Sequence, residues 1–143
     1  MKKIFSTVLL LTGLLILLSS CGARNMKIDK YEWKMRYALC EQDGEVYVPA
    51  VGEKMTAYPD AKIVDVRLTA SDGKITVTDS TNGKTYEGMY TASGITPDGT
   101  NYDITIDGKS GHGVVAMTEY HGGKEEPTLP INIGGYSLYF YAE

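Results

Sequence analysis

The sequence is short of the residues that would give it a covalent frame or an obvious catalytic centre. Two cysteines, two histidines, one tryptophan and two phenylalanines are spread over 143 residues. Two cysteines allow one bridge at most, which excludes a disulfide-stapled scaffold. The only groups that titrate near neutrality as acid–base candidates are His112 and His121. They flank the segment Gly113–Tyr120, and nine extended residues span roughly 30 Å, so the two do not share a metal unless the chain bends sharply. No apolar run reaches the roughly 20 residues a membrane-spanning helix needs. After position 30 no window of a dozen residues shows a 3.6-residue apolar period, so helices are not expected there. Cations are also few. Fourteen Lys and Arg face eighteen Asp and Glu, a formal charge of −4, and a nucleic-acid partner would require the opposite balance.

What is present begins at the N-terminus. Lys2 and Lys3 are followed by an apolar run from Val8 to Leu18, interrupted only by Thr12 and Gly13, and then by Ser19 and Ser20. A basic start, an apolar core of about 7–15 residues and small residues at the end make a secretory signal. Residues 1–20 are therefore expected to be a signal-peptide helix that is removed.

The tetrad Leu18-Ser19-Ser20-Cys21 resembles the lipobox of bacterial lipoproteins. That resemblance implies cleavage before Cys21, a diacylglycerol on its thiol and a further acyl group such as palmitate. It places the protein in the cell envelope, anchored to a membrane and facing the periplasm or the exterior. Two or more acyl chains suffice for stable anchoring, at about 0.8 kcal/mol per buried CH₂. With residues 1–20 removed, twelve bases face eighteen acids over 123 residues. Cys40 then stands alone. Its acidic neighbours Glu41 and Asp43 work against a reactive thiolate, so it is expected to be a small buried residue. Residues 21–29 are polar and mixed and read as a lipidated tether, and residues 30–143 as one domain.

That domain is punctuated by turn dipeptides: Asp43-Gly44, Asp72-Gly73, Asn82-Gly83, Asp98-Gly99, Asp107-Gly108, Gly122-Gly123 and Gly134-Gly135. Such pairs accept the positive φ angles of tight hairpins. Between them lie alternating segments rich in Tyr, Thr, Val and Ile. Tyr31–Cys40 puts Tyr31, Trp33, Met35, Tyr37 and Leu39 on one face. Val46–Val51 carries Pro49 and suits an edge. Lys62–Ala70, Lys74–Asp79, Lys84–Thr91, Asn101–Asp107, Gly113–Tyr120, Thr128–Ile133 and Tyr136–Ala142 complete eight or nine strands. Gly52–Ala61 has room for one helical turn. A hairpin meander of this size leaves two unpaired edges unless it closes. The expected fold is all-β, a single small antiparallel barrel, with a two-sheet sandwich as the competitor.

Trp33 on the first strand, the Tyr102-Asp103-Ile104-Thr105-Ile106 strand and the closing Tyr136–Tyr141 strand are similar to the lipocalin and wider calycin group. The Gly-x-Trp signature of that group is absent, since Tyr31-Glu32 precede Trp33. Asn82-Gly83-Lys84-Thr85-Tyr86 also resembles the Ser-Gly-x-x-Tyr loop of lipid-anchored lysozyme inhibitors, without its Ser. Those inhibitors use a disulfide that a lone Cys40 cannot form.

Catalytic and cofactor motifs are not found. There is no Gly-x-Ser-x-Gly elbow, and Ser110-Gly111-His112-Gly113 reads as a polar turn. Gly108-x-x-Gly111-x-Gly113 leads into a strand, not into the helix N-terminus that cradles phosphate. Asp65 and Asp103 fall on solvent faces. Glu119, Glu125 and Glu126 near His121 match no metal-ligand spacing. No enzyme activity, metal or cofactor is expected. The surplus is aromatic: eleven tyrosines. Tyr buries its ring while its hydroxyl still bonds, so Tyr86 and Tyr90, Tyr139 and Tyr141, and Trp33 are the candidate ligand- or partner-binding residues. The expected function is non-enzymatic binding of a small apolar ligand or an envelope protein; an inhibitor or assembly factor is the alternative.

Overall fold

A computed structural model describes residues 24–49, 58–120 and 122–143. The expected signal helix, the lipidation site Cys21 and His121 lie outside these. A short 3₁₀ turn, Ile28–Lys30, precedes ten strands: β1 Trp33–Cys40, β2 Val46–Val48, β3 Lys62–Ile63, β4 Val66–Ser71, β5 Lys74–Asp79, β6 Lys84–Ile95, β7 Gly99–Ile106, β8 Lys109–Tyr120, β9 Lys124–Ile133 and β10 Tyr136–Ala142. Strands β4 to β10 form an antiparallel meander, and β1 pairs with both β4 and β10 to close it. The result is a closed eight-stranded barrel, with β2 and β3 as a flap on the upper half of β1.

Turn chemistry sets the meander. Asp72-Gly73, Asp107-Gly108 and Gly134-Gly135 each hold both residues at positive φ, between 50° and 81°. Two-residue turns of this hand match the twist of the strands they join. Asp98-Gly99 closes the β6–β7 turn without positive φ: the Thr96 N–H donates to the Gly99 carbonyl at 2.8 Å. Gly99 also serves close strand approach, since a Cβ there would sit 2.1 Å from the carbonyl oxygen of Val115.

Three other expectations are corrected. Alternation does not run unbroken through β1, because Met35 faces Phe140 but Tyr37 faces Tyr139, leaving Arg36 as one extra residue. A bulge shifts the side-chain phase by one. Trp33, Met35, Ala38 and Cys40 therefore point inward, while Tyr37 and Leu39 are exposed. Lys62–Ala70 is not one strand but β3 and β4, parted at Val64-Asp65. Ser110-Gly111-His112-Gly113 is not a turn; it lies within β8, paired with β7 and β9.

The wall is apolar inside and polar outside. Leu68, Ile75, Ile104, Val115, Leu129, Ile131 and Phe140 fill the lower half of the barrel and are at most 2% exposed. Thr69, Thr78, Glu87, Thr91, Asp103, His112 and Asn132 line the outer surface. A transmembrane barrel has the reverse arrangement.

Of the expected tether, residues 24–29 form a plug across the lower end. The Met26 N–H donates to Thr100 Oγ1 at 2.9 Å, the Ile28 N–H to the Tyr102 hydroxyl at 3.1 Å, and that hydroxyl to the Met26 carbonyl at 2.9 Å. Trp33 Nε1 donates to the Ile28 carbonyl at 2.8 Å. Ile28 itself is fully buried. Every polar group of the plug that enters the apolar end thus brings a partner with it.

Candidate functional site

The upper half of the barrel is open. It holds a cup of about 320 Å³ lined from β1, β2 and each strand from β4 to β10. Met35, Val64, Val66, Val77, Ile106 and Leu138 give it an apolar lining. Tyr47, Tyr86 and Tyr136 stand around it, and Asp79, Asn82, Asp107 and Lys109 occupy its rim. An apolar concavity with a few polar groups at its edge is the usual form of a small-molecule site, and the volume falls at the small end of that class. A larger depression of about 690 Å³ runs past Met89, Thr91, Asp103, His112 and Asn132. It is an open furrow along the polar outer wall.

The flap is held by a small charged network. Lys62 Nζ donates to Glu45 Oε1 at 2.5 Å and the Tyr47 hydroxyl to Glu45 Oε2 at 2.7 Å. Those hydrogen bonds, Lys62 first, pull the Glu45 carboxyl below the usual carboxylate range, and the bond to Glu45 pushes the Tyr47 phenol up. Lys62 also lies 5.7 Å from the Tyr47 ring centre. On the opposite side Tyr136 faces Tyr47 with ring centres 6.5 Å apart. The neighbouring Cys40 thiol, followed by burial, raises the Tyr136 phenol above its ordinary value. Cys40 is buried at the top of β1, as its acidic sequence neighbours suggested.

This network predicts a pH-dependent flap. A carboxyl whose folded pKa is depressed contributes above the ordinary carboxylate range and loses that contribution as the pH falls through the folded value. Amide exchange at Tyr47, Val48 and Ile63 is expected to accelerate, relative to intrinsic rates, as the pH drops below about 4. Core amides such as Val115 should show no matching change, and Glu45→Gln should reproduce the acid behaviour at pH 6. Equal protection of the flap at both pH values in the unsubstituted protein would refute the role given to Glu45.

The five aromatic candidates do not converge. Tyr86 borders the cup. Tyr90 lies lower inside the barrel, edge-on to Tyr102 with ring centres 5.8 Å apart. Trp33 is in the closed end, 1% exposed. Tyr139 and Tyr141 are on the outer wall, where the Arg36 guanidinium sits between Tyr120 and Tyr141, 4.3 and 4.8 Å from their ring centres. Arg36 also pairs with Glu126 at 2.7 Å, and Tyr139 stacks on Tyr37 at 5.2 Å. Tyr120 and Tyr139 share a hydroxyl–hydroxyl contact of 3.3 Å. Burial, then the bond to Tyr139, raises the Tyr120 phenol. At Tyr139 burial acts in the same direction, but hydrogen bonds from Tyr120, Thr118 and Thr128 outweigh it and the value falls.

Sequence reasoning missed Arg36, Tyr120, Tyr47 and the apolar cup residues Val64, Val66 and Leu138. The bulge at Arg36, which turns Tyr37 outward beside Tyr139, leaves no mark in the alternation pattern, and the flap's parallel β2–β3 pairing joins segments too short to signal. His112 lies on the outer face of β8 with Nδ1 2.9 Å from Asp103 Oδ1, both side chains well exposed. Asp65 is not near them in register, so no carboxylate pair forms. Among the described residues, no group of three His, Cys, Asp or Glu is placed to hold a metal ion. Compared with protein-family models, curated proteins and solved structures, the chain matches none.

Proposed function

We propose that this protein is a lipid-anchored, non-enzymatic β-barrel of the bacterial cell envelope that binds a small apolar ligand in the cup at its open end. The cup carries the reading: an apolar concavity of about 320 Å³ at one end of a barrel whose other end is sealed. An eight-stranded barrel is wide enough either to be filled by side chains or to hold one small ligand. Here the lower half takes the first course and the upper half the second. The lipobox-like Leu18-Ser19-Ser20-Cys21 supports the anchor. Trp33 on the first strand of a closed eight-stranded barrel supports the resemblance to lipocalin-like binding barrels. A protein-docking role for the outer Tyr139 and Tyr141 has less support, because Tyr120 already bonds the Tyr139 hydroxyl and Arg36, paired with Glu126, already covers the Tyr141 ring.

The neutral dye N-phenyl-1-naphthylamine tests the cup directly. Its fluorescence is expected to rise on binding with a dissociation constant on the order of 1–10 μM, about −7 to −8 kcal/mol. Leu138→Trp and Val66→Trp each fill the cup from a half-buried position and should weaken binding by at least about tenfold, or 1.4 kcal/mol. His112→Trp, on the outer furrow, should leave it unchanged. Undiminished binding in both cup variants would remove the cup from consideration.

A further inference from the structure

Resting on the lipid attachment just proposed, we infer that the barrel stands closed end down on the lipid headgroups, with its cup turned away from the bilayer. The observation is the shortness of the leash. The Arg24 N–H donates to the Thr96 carbonyl at 3.2 Å, and the Met26 N–H to Thr100 Oγ1 at 2.9 Å. The chain is therefore bound to the barrel wall from Arg24 onward. Only Gly22 and Ala23 lie between Arg24 and Cys21. Three residues reach at most about 10–11 Å even when fully extended. With the acyl chains of Cys21 inserted, the Thr96–Gly99 connection between β6 and β7 must lie within that distance of the membrane surface.

The cup opens at the opposite end. Strand β6 has twelve residues, and at about 3.4 Å per residue with a tilt of 35–45° the barrel is roughly 25–30 Å tall. The leash cannot bring the rim to the lipid while the plug stays bound.

The closed end carries both signs: Arg24, Lys27, Lys30, Lys74 and Lys124 are exposed there beside Asp29, Glu32, Asp72, Asp98, Glu119 and Glu125. The rim is mixed as well, with Glu41, Asp43, Asp60 and Asp107 beside Lys62, Lys84 and Lys109. Charge therefore does not set the orientation, and the leash alone carries it. A ligand enters such a cup from the aqueous side and not from within the bilayer.

The test uses the full lipoprotein in vesicles of mixed zwitterionic and anionic lipid with brominated acyl chains, which quench nearby tryptophan. In a Trp33→Phe background, with protected amides at Met26 and Ile28 showing that the plug is still seated, Asp98→Trp places the sole tryptophan at the closed end, and Asn82→Trp places it at the rim. Intact mass first reports whether lipid is on Cys21. Emission of the Asp98→Trp protein is expected to drop by about half or more, because that indole lies within leash length of the acyl chains. The Asn82→Trp protein should be almost unaffected. Inserting about twenty Gly and Ser residues between Ala23 and Arg24, with a reach of about 25 Å, should relieve the quenching at position 98. Quenching at position 82 equal to that at 98 in lipidated protein would overturn the orientation while leaving the anchor intact. Absence of lipid on Cys21 would overturn both.

Discussion

Replacing Trp33 by alanine is expected to destabilise the barrel by about 3–5 kcal/mol, the range for deleting a large buried aromatic side chain. The ring is 1% exposed in the apolar lower half and meets Tyr31 edge-on with centres 5.3 Å apart. Its loss opens a cavity and also removes the bond from Nε1 to the Ile28 carbonyl. An intramolecular hydrogen bond contributes about 0.5–1.5 kcal/mol by itself. Trp33→Phe keeps a six-membered ring in the site while deleting the N–H, so its difference from Trp33→Ala reports the larger part of the packing loss. Urea unfolding followed by circular dichroism gives the stability, and amide exchange at Met26 and Ile28 gives the state of the plug. A loss below about 1 kcal/mol with the plug still protected would contradict the role assigned to this residue. Because domains of this size have only about 5–15 kcal/mol to lose, the alanine variant is expected to sit close to unfolding.

Gly88→Ala should be comparably severe for a different reason. Gly88 lies in β6 opposite Ile106, and a Cβ there would fall 1.8 Å from the Thr105 carbonyl oxygen and 2.9 Å from the Ile106 Cα. These are backbone atoms, so no rotamer change relieves the clash; β6 and β7 would have to part. The expected cost is about 3 kcal/mol or more, at or beyond the upper end of ordinary overpacking. Gly94, six residues along the same strand, provides the contrast. Its φ is ordinary, and a Cβ would meet only Asn101 Nδ2 at 3.7 Å. Gly94→Ala should fall within about 0.5 kcal/mol of the parent protein, or stabilise it slightly by restricting the unfolded chain. Thermal or urea melts of the pair decide the matter, and equal effects would mean that the close approach at Gly88 is not a constraint.

Most of the barrel was legible in the sequence because its signals are local. Asp72-Gly73, Asp107-Gly108 and Gly134-Gly135 carry the turn conformation in their own residues, and Lys74–Asp79 and Tyr136–Ala142 were bounded correctly by the turns beside them. What was not legible depends on partners distant in the chain. The bulge at Arg36 exists only relative to β10, and it moves Tyr37 and Leu39 to the outside. His112 looked like part of a turn because glycines surround it, whereas Gly111 and Gly113 are there to let β9 and the core residue Ile104 come close. The cup was invisible for a related reason. A hollow is defined by what eight strands fail to fill, and no single segment records that. Conversely, tyrosines drew attention by their number, but their hydroxyls serve the plug, the flap and the outer wall as much as any ligand.

The pairing of β1 with β10 joins Trp33 to Ala142 and Cys40 to Tyr136. Those partners are about a hundred positions apart in the chain, whereas the pairings from β4 through β10 all join consecutive strands and β1 meets β4 across the flap. Local hairpins can form early, but the seam closes only after the loop entropy of nearly the whole domain has been overcome, which places such folds among the slow ones, in milliseconds to seconds. Until β10 arrives, β1 and β9 each present an unpaired edge able to pair with another chain. The last strand is therefore the latch of the folding reaction, and any delay in its arrival is time during which the chain is open to aggregation.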